Sequence, residues 1–266
     1  MFHYNMVQWL FFFYFYSFCG WCFESSYVSL KNHKWVNRGF MRVPFLPLYG
    51  SGAVMMFVVS RPFQDNVLLT YFAGCVGATA LEYVTSVVMD ALFNVKYWDY
   101  SYKRFQFQGR ICLSSTITWG FFTIGMTRIV HRPIEQMMLA IPVRILGYVT
   151  FAVTIYIVAD FTLSFKAAMD LREILLKMQR IKEEMAGMQK RLDAIKNAPS
   201  AYMDSVRDEI AELRARYNLY MENRENYKDT LDFYKRDMIR NNPGMNSQKF
   251  QDTFEELKDA VTHKRR

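Results

Sequence analysis

Residues 66–93 read NVLLTYFAGCVGATALEYVTSVVMDALF, and this stretch decides the fold. It is apolar for longer than the roughly 20 residues a helix needs to cross a bilayer core. Yet Cys75, Thr79, Glu82, Ser86 and Asp90 follow one another at steps of four, three, four and four, which puts them on one helix face. A carboxylate at the centre of a bilayer costs about 2.5–3.5 kcal/mol or more unless it meets a partner or water. That face must therefore look into a bundle of helices. Gly74 and Ala78 form a small-xxx-small step that lets a neighbouring backbone come close. These residues predict an all-α fold, a polytopic helical membrane bundle.

Five apolar segments are long enough, or nearly so, to span: residues 6–30, 45–60, 66–93, 113–130 and 139–165. The second is short and carries Pro47, Gly50 and Gly52, which suits a tilted or re-entrant element. The first contains Glu24, a second acid inside an apolar run. It has no basic leading segment and is too long and too aromatic for a signal peptide.

Charge divides the chain into a membrane domain, residues 1–165, and a tail, residues 166–266. The first part has 12 Lys/Arg and 7 Asp/Glu; the tail has 21 and 18. The basic residues of the first part gather between spans, at Lys31, Lys34, Arg38 and Arg42, then at Lys96, Lys103, Arg104 and Arg110. That is the footprint of membrane topology rather than of nucleic-acid binding. It predicts an N-terminus outside and a tail in the cytoplasm, at a bacterial plasma membrane. Five spans require the same parity.

The tail carries a helical seam. Leu171, Ile174, Met178, Ile181, Met185, Met188, Leu192 and Ile195 alternate at steps of three and four. Asn197-Ala198-Pro199-Ser200 breaks it, with Ser200 placed to cap a second helix. A second seam runs Met203, Val206, Ile210, Leu213, Tyr217, Tyr220, Arg224, Tyr227, Leu231, Tyr234, Met238. The spacing predicts an antiparallel coiled-coil hairpin of residues 166–197 and 201–240, separable from the bundle. Asn241-Asn242-Pro243-Gly244 ends the second helix, and Ser247 caps a short third one with Phe250, Phe254, Leu257 and Val261 on one face. The hairpin reads either as a stalk or as a surface, within residues 166–240, for self-association or a partner.

Topology draws Glu24, Arg38, Glu82, Asp90, Asp99 and Arg110 toward the cytoplasmic half, as a polar cluster that is either a structural lattice or a substrate site. The buried arginines there need a carboxylate or a phosphate beside them. The loop at residues 36–52, dense in Pro and Gly, is a candidate cavity wall through Asn37, Pro44, Pro47 and Tyr49. No metal-ligand spacing joins His3, His33, His131 and His263, no cofactor motif is present, and no GxxxxGK[ST] segment binds a nucleotide. Cys19 and Cys22 have the CxxC spacing of a redox site, but no sheet surrounds them, and they read as small apolar residues of a packed helix.

An ordered set of short motifs runs through residues 14–130: Gly20-Trp21-x-x-Glu24-x-x-Tyr27, Val36-Asn37-Arg38-Gly39-Phe40, Pro44-x-x-Pro47-x-Tyr49-Gly50-x-Gly52, Thr79-x-Leu81-Glu82-Tyr83-x-Thr85, Trp98-Asp99-Tyr100-Ser101, Gly109-Arg110-Ile111 and Trp119-Gly120. Together they resemble the bacterial membrane family of ABC-transporter permeases of type IV, CmpB-like. Val43 and Ser86 stand where that family usually has glycine, and Asp90 where it has glutamate. The resemblance implies a permease-like subunit, bathed in membrane lipids and served by a separate ATPase chain. Two other readings stay open: a scaffold or regulator assembling through its tail, and a membrane enzyme using Glu24 or Glu82 as base and Arg38 or Arg110 to hold a lipid or phosphate headgroup.

Overall fold

A computed structural model describes residues 4–196, 207–229 and 231–263. The first helix, α1 (Met6–Asn32), opens on a reciprocal cap: Asn5 Oδ1 accepts from Gln8 N at 2.9 Å, and Gln8 Oε1 accepts from Asn5 N at 2.9 Å. It stops at His33 in the left-handed conformation. Helix α2 (Pro47–Ser60) begins on proline, whose missing N–H costs nothing in a first turn. Its 14 residues reach only about 21 Å, short of the hydrocarbon thickness. Helix α3 (Val67–Phe93) is capped by Asn66, which accepts from Leu68 N and Leu69 N, and ends at left-handed Asn94.

A two-stranded hairpin, β1 (Gln106–Phe107) with β2 (Ile111–Cys112), leads into α4 (Leu113–Gly125). A π-helical turn, Met126–Val130, joins α4 to α5 (His131–Leu139) without a break. Then α6 (Val143–Lys196) runs for 54 residues, about 81 Å at 1.5 Å per residue. Among the described residues, three helices, α1, α3 and α6, are long and apolar enough to cross a membrane.

The fifth apolar segment and the first seam are thus one rod: the 165/166 boundary lies inside α6. The break at residues 197–200, the Ser200 cap, and Met203 and Val206 lie outside the described residues. Helix α7 (Arg207–Asp229) returns antiparallel, with Leu213 near Ile195 and Tyr220 near Glu184. The sequence predicts one helix over residues 201–240; instead a further helix, α8 (Phe233–Asn241), starts afresh because Asp232 Oδ1 accepts from Lys235 N at 3.0 Å. The short third helix is α9 (Gln251–His263); it starts later than a Ser247 cap predicts, and Ser247 Oγ accepts instead from Phe250 N in the turn just before it.

Apolar burial organises both ends. Away from the tail, Phe12, Tyr16, Phe57, Met138 and Leu146 pack together. Here the fully buried His131 shares hydrogen bonds with Tyr16 at 2.8 Å and Tyr4 at 2.9 Å. On the tail side one core joins Phe93, Val95 and Tyr97 to Leu171, Leu175 and Met178 of α6, Met238 and Ile239 of α8, and Phe254 and Leu257 of α9. The seam of α6 is therefore covered by α8 and α9 near the bundle and by α7 farther out. Lys182 pairs with Asp252 at 2.8 Å and Lys235 with Asp170 at 3.7 Å across these contacts.

Candidate functional site

The loop after α1 folds back because Gly39 takes φ +130°, a conformation L side chains rarely adopt. Ser25 Oγ accepts from Arg38 N at 3.1 Å, which returns the arginine to α1. Its guanidinium then donates from Nε to Glu24 Oε1 at 3.4 Å, from Nη1 to Asn242 Oδ1 at 2.8 Å and from Nη2 to the Tyr97 carbonyl at 3.3 Å. Tyr49 of α2 donates to Glu24 Oε2 at 2.7 Å. Glu24, Arg38 and Tyr49 are one constellation, closed from below by a tail residue.

Around it lies an open cavity of about 290 Å³, walled by α2, α3 and α6. Its lining is apolar apart from Glu24, Arg38, Asn242 and a few hydroxyls. Pro47 and Tyr49 border it; Asn37 and Pro44 do not. Asn37 instead accepts from Trp21 Nε1 at 2.6 Å and donates to the Arg42 carbonyl at 2.6 Å, which fixes the loop. Pro44 lies beside Phe45 and Tyr14 on another groove. A second apolar cavity of about 210 Å³ sits between α1, α2, α3 and α4 and shares Leu48 and Tyr49 with the first.

The other predicted residues form separate nests. Glu82 is only 5 % exposed. It accepts from Tyr100 at 3.0 Å, Trp119 Nε1 at 3.0 Å and Ser115 at 3.4 Å. Arg110 donates from Nη2 to Asp90 at 2.6 Å and from Nη1 to the Ser86 carbonyl at 2.9 Å. Among the described residues Asp99 pairs with no arginine: it accepts from Ser101 N at 2.8 Å, Ser101 Oγ at 2.6 Å and Asn246 Nδ2 at 2.8 Å. Gly109, at φ +67°, passes close beside it: a Cβ there would sit 2.4 Å from Asp99 Oδ1.

Three participants escaped the sequence reading. Lys96 is 1 % exposed. Its ammonium donates to the Gln108 carbonyl at 2.9 Å. Burial, helped by nearby Arg110, pulls its pKa below the usual lysine range. Asn242 and Asn246 stand in the tail turn that ends α8, and Asn246 makes reciprocal backbone bonds with Lys96 at 2.8 and 3.0 Å. The signal was available: an Asn-rich turn between two amphipathic helices has side chains to satisfy. The expectation that the polar cluster draws its partners from the spans alone is therefore corrected. The tail supplies two of them.

Helices long and apolar enough to cross a membrane, packed around half-buried acid–base pairs, define a polytopic helical membrane protein. The chain belongs to the family described as "Putative ABC-transporter type IV", whose model matches residues 11–165, more than half of its length. No curated protein and no solved structure matches it.

Proposed function

We propose that the chain is a permease-like subunit of an ABC-type transport system, in which the cavity beside Glu24 and Arg38 receives the solute and the tail meets a separate ATPase. The observation that carries this reading is Asn242. A residue of the tail bonds Arg38 and borders the cavity, so movement of the tail is transmitted to the site. The Lys/Arg-rich loops support a tail and a site on the cytoplasmic side of a bacterial plasma membrane, with the N-terminus outside. With the seam of α6 covered within the chain, the outer face of α6 and α7, where Leu219 and Met221 are exposed, is the surface in this reading for the ATPase or a second copy.

Affinity purification of the full chain from its native membrane tests it. The expected result is a stoichiometric partner with a nucleotide-binding P-loop, whose ATP hydrolysis in vesicles depends on Asn242. Purification without an ATPase, even after crosslinking, would overturn the transport reading. Labelling of a single cysteine at residue 100 from outside intact cells would overturn the topology.

A second reading is favoured by Glu82, Asp90 and Asp99, each bonded within the chain. Such saturation suits a scaffold whose acids only hold the helices together. A partner that binds the tail and has no ATPase activity would favour it.

A further inference from the structure

We infer that the 290 Å³ cavity binds one acyl chain of a membrane phospholipid, with a headgroup carrying both phosphate and primary amine seated at Glu24 and Arg38. The inference rests on reading this cavity as the solute site, and it names the solute class.

The shape argues for a lipid. The volume is at the lower edge of small-molecule sites, about 300–1,000 Å³, and the walls are Leu, Val, Met and Phe side chains. A solute that is polar throughout finds partners only at the Glu24–Arg38 end. The entrance is lateral. Val88, Leu92 and Phe161 line the cavity and are 46 %, 40 % and 45 % exposed on helices α3 and α6, surfaces that face hydrocarbon in a membrane. A chain already in the bilayer enters between them without crossing water.

The polar end argues for the headgroup. Glu24 and Arg38 together carry no net charge, so a singly charged headgroup would leave one of them opposed. Arg38 uses three of its five donors on Glu24, Asn242 and the Tyr97 carbonyl. Glu24 accepts one bond on each oxygen, and each oxygen has a further lone pair. Their mutual contact, 3.4 Å, is longer than the roughly 2.7–2.9 Å of a tight charge-assisted bond. An ammonium donating to Glu24 and a phosphate accepting from Arg38 complete both groups.

The test uses the purified full chain in vesicles, with no ATPase present, and phosphatidylethanolamine carrying a photoreactive group on one acyl chain. Crosslinks should concentrate near Val88, Met89 and Phe161 over the lipid-facing reference positions Phe151 and Ile155. Unlabelled phosphatidylethanolamine should compete, and phosphatidylglycerol should compete about tenfold less well, the loss of one good polar contact. Val88→Trp, on an exposed surface, should remove the concentrated crosslinks while the thermal midpoint holds. Glu24→Gln, which removes the carboxylate that takes the ammonium, should abolish the preference between headgroups. Crosslinks spread evenly over α3 and α6, or equal competition by phosphatidylglycerol, would overturn the inference. Specific crosslinking in a chain that captures no ATPase would leave the lipid site standing and remove the transport reading alone.

Discussion

Asn242 Oδ1 accepts a hydrogen bond from Arg38 Nη1 at 2.8 Å, across 204 residues of sequence. The same asparagine, 1 % exposed, donates to the carbonyls of Gly39 and Met238. A tail residue thereby completes a group of the membrane domain. Asn242→Ala should strand the Gly39 carbonyl and one arm of Arg38. The expected loss is about 1–3 kcal/mol per buried group left unpaired. Thermal unfolding in detergent measures it, and an unchanged midpoint would show that the contact carries no stability.

Deletion of residues 231–266 should destabilise the membrane domain itself. It uncovers Lys96 and strips Phe93, Val95 and Tyr97 of their partners on α8 and α9. The truncated chain should unfold at a lower temperature than the full chain in the same detergent. A truncated chain of equal midpoint would restore the separable tail that the seams alone suggest.

Glu82→Ala should harm more than Glu82→Gln. Trp119 can only donate, whereas the Tyr100 hydroxyl can either donate or accept. A glutamine can therefore accept from Trp119 and turn its amide toward Tyr100. Alanine leaves the Trp119 N–H buried and unpaired, at about 1–3 kcal/mol more. Equal midpoints for the two variants would contradict this account.

Gly74→Ala should be among the most damaging small substitutions. A Cβ at Gly74 would lie 2.1 Å from Thr123 Oγ1 and 2.4 Å from its Cβ, so α3 and α4 must part. Overpacking of this kind costs about 1–3 kcal/mol. At Gly147 a Cβ meets nothing within 4 Å, and Gly147→Ala should be neutral or stabilising by helix propensity alone. Comparison of folded yield and thermal midpoint for the two variants decides it.

Acid should weaken the tail contact through Asp99. Burial opposes its ionisation, but bonds from Ser101 and Asn246, with Lys96 nearby, hold its carboxyl below the ordinary range. Its contribution is complete above the free aspartate value of about 3.9 and is lost as pH falls through the depressed folded value. Asp99→Asn should flatten that part of the stability–pH curve. A variant with the same acid limb as the parent would assign the loss to other groups.

The sequence by itself determined the helices and their solvent. Apolar length set the long spans, and the Glu82 face and the positions of Lys and Arg followed from the cost of charge in hydrocarbon. The local bond from Phe250 N to Ser247, just ahead of α9, was legible because such contacts span only three residues. The pairings were not. Arg38 with Glu24 and Arg110 with Asp90 needed only a nearby acid, but composition offered four, and packing chose among them. Asp99, grouped with the arginines on charge, went to Asn246, and α6 ran unbroken from span to tail. Tertiary structure decided these because a polar side chain is satisfied by whatever lies within about 3 Å, and periodicity along one helix does not say which helix will be there.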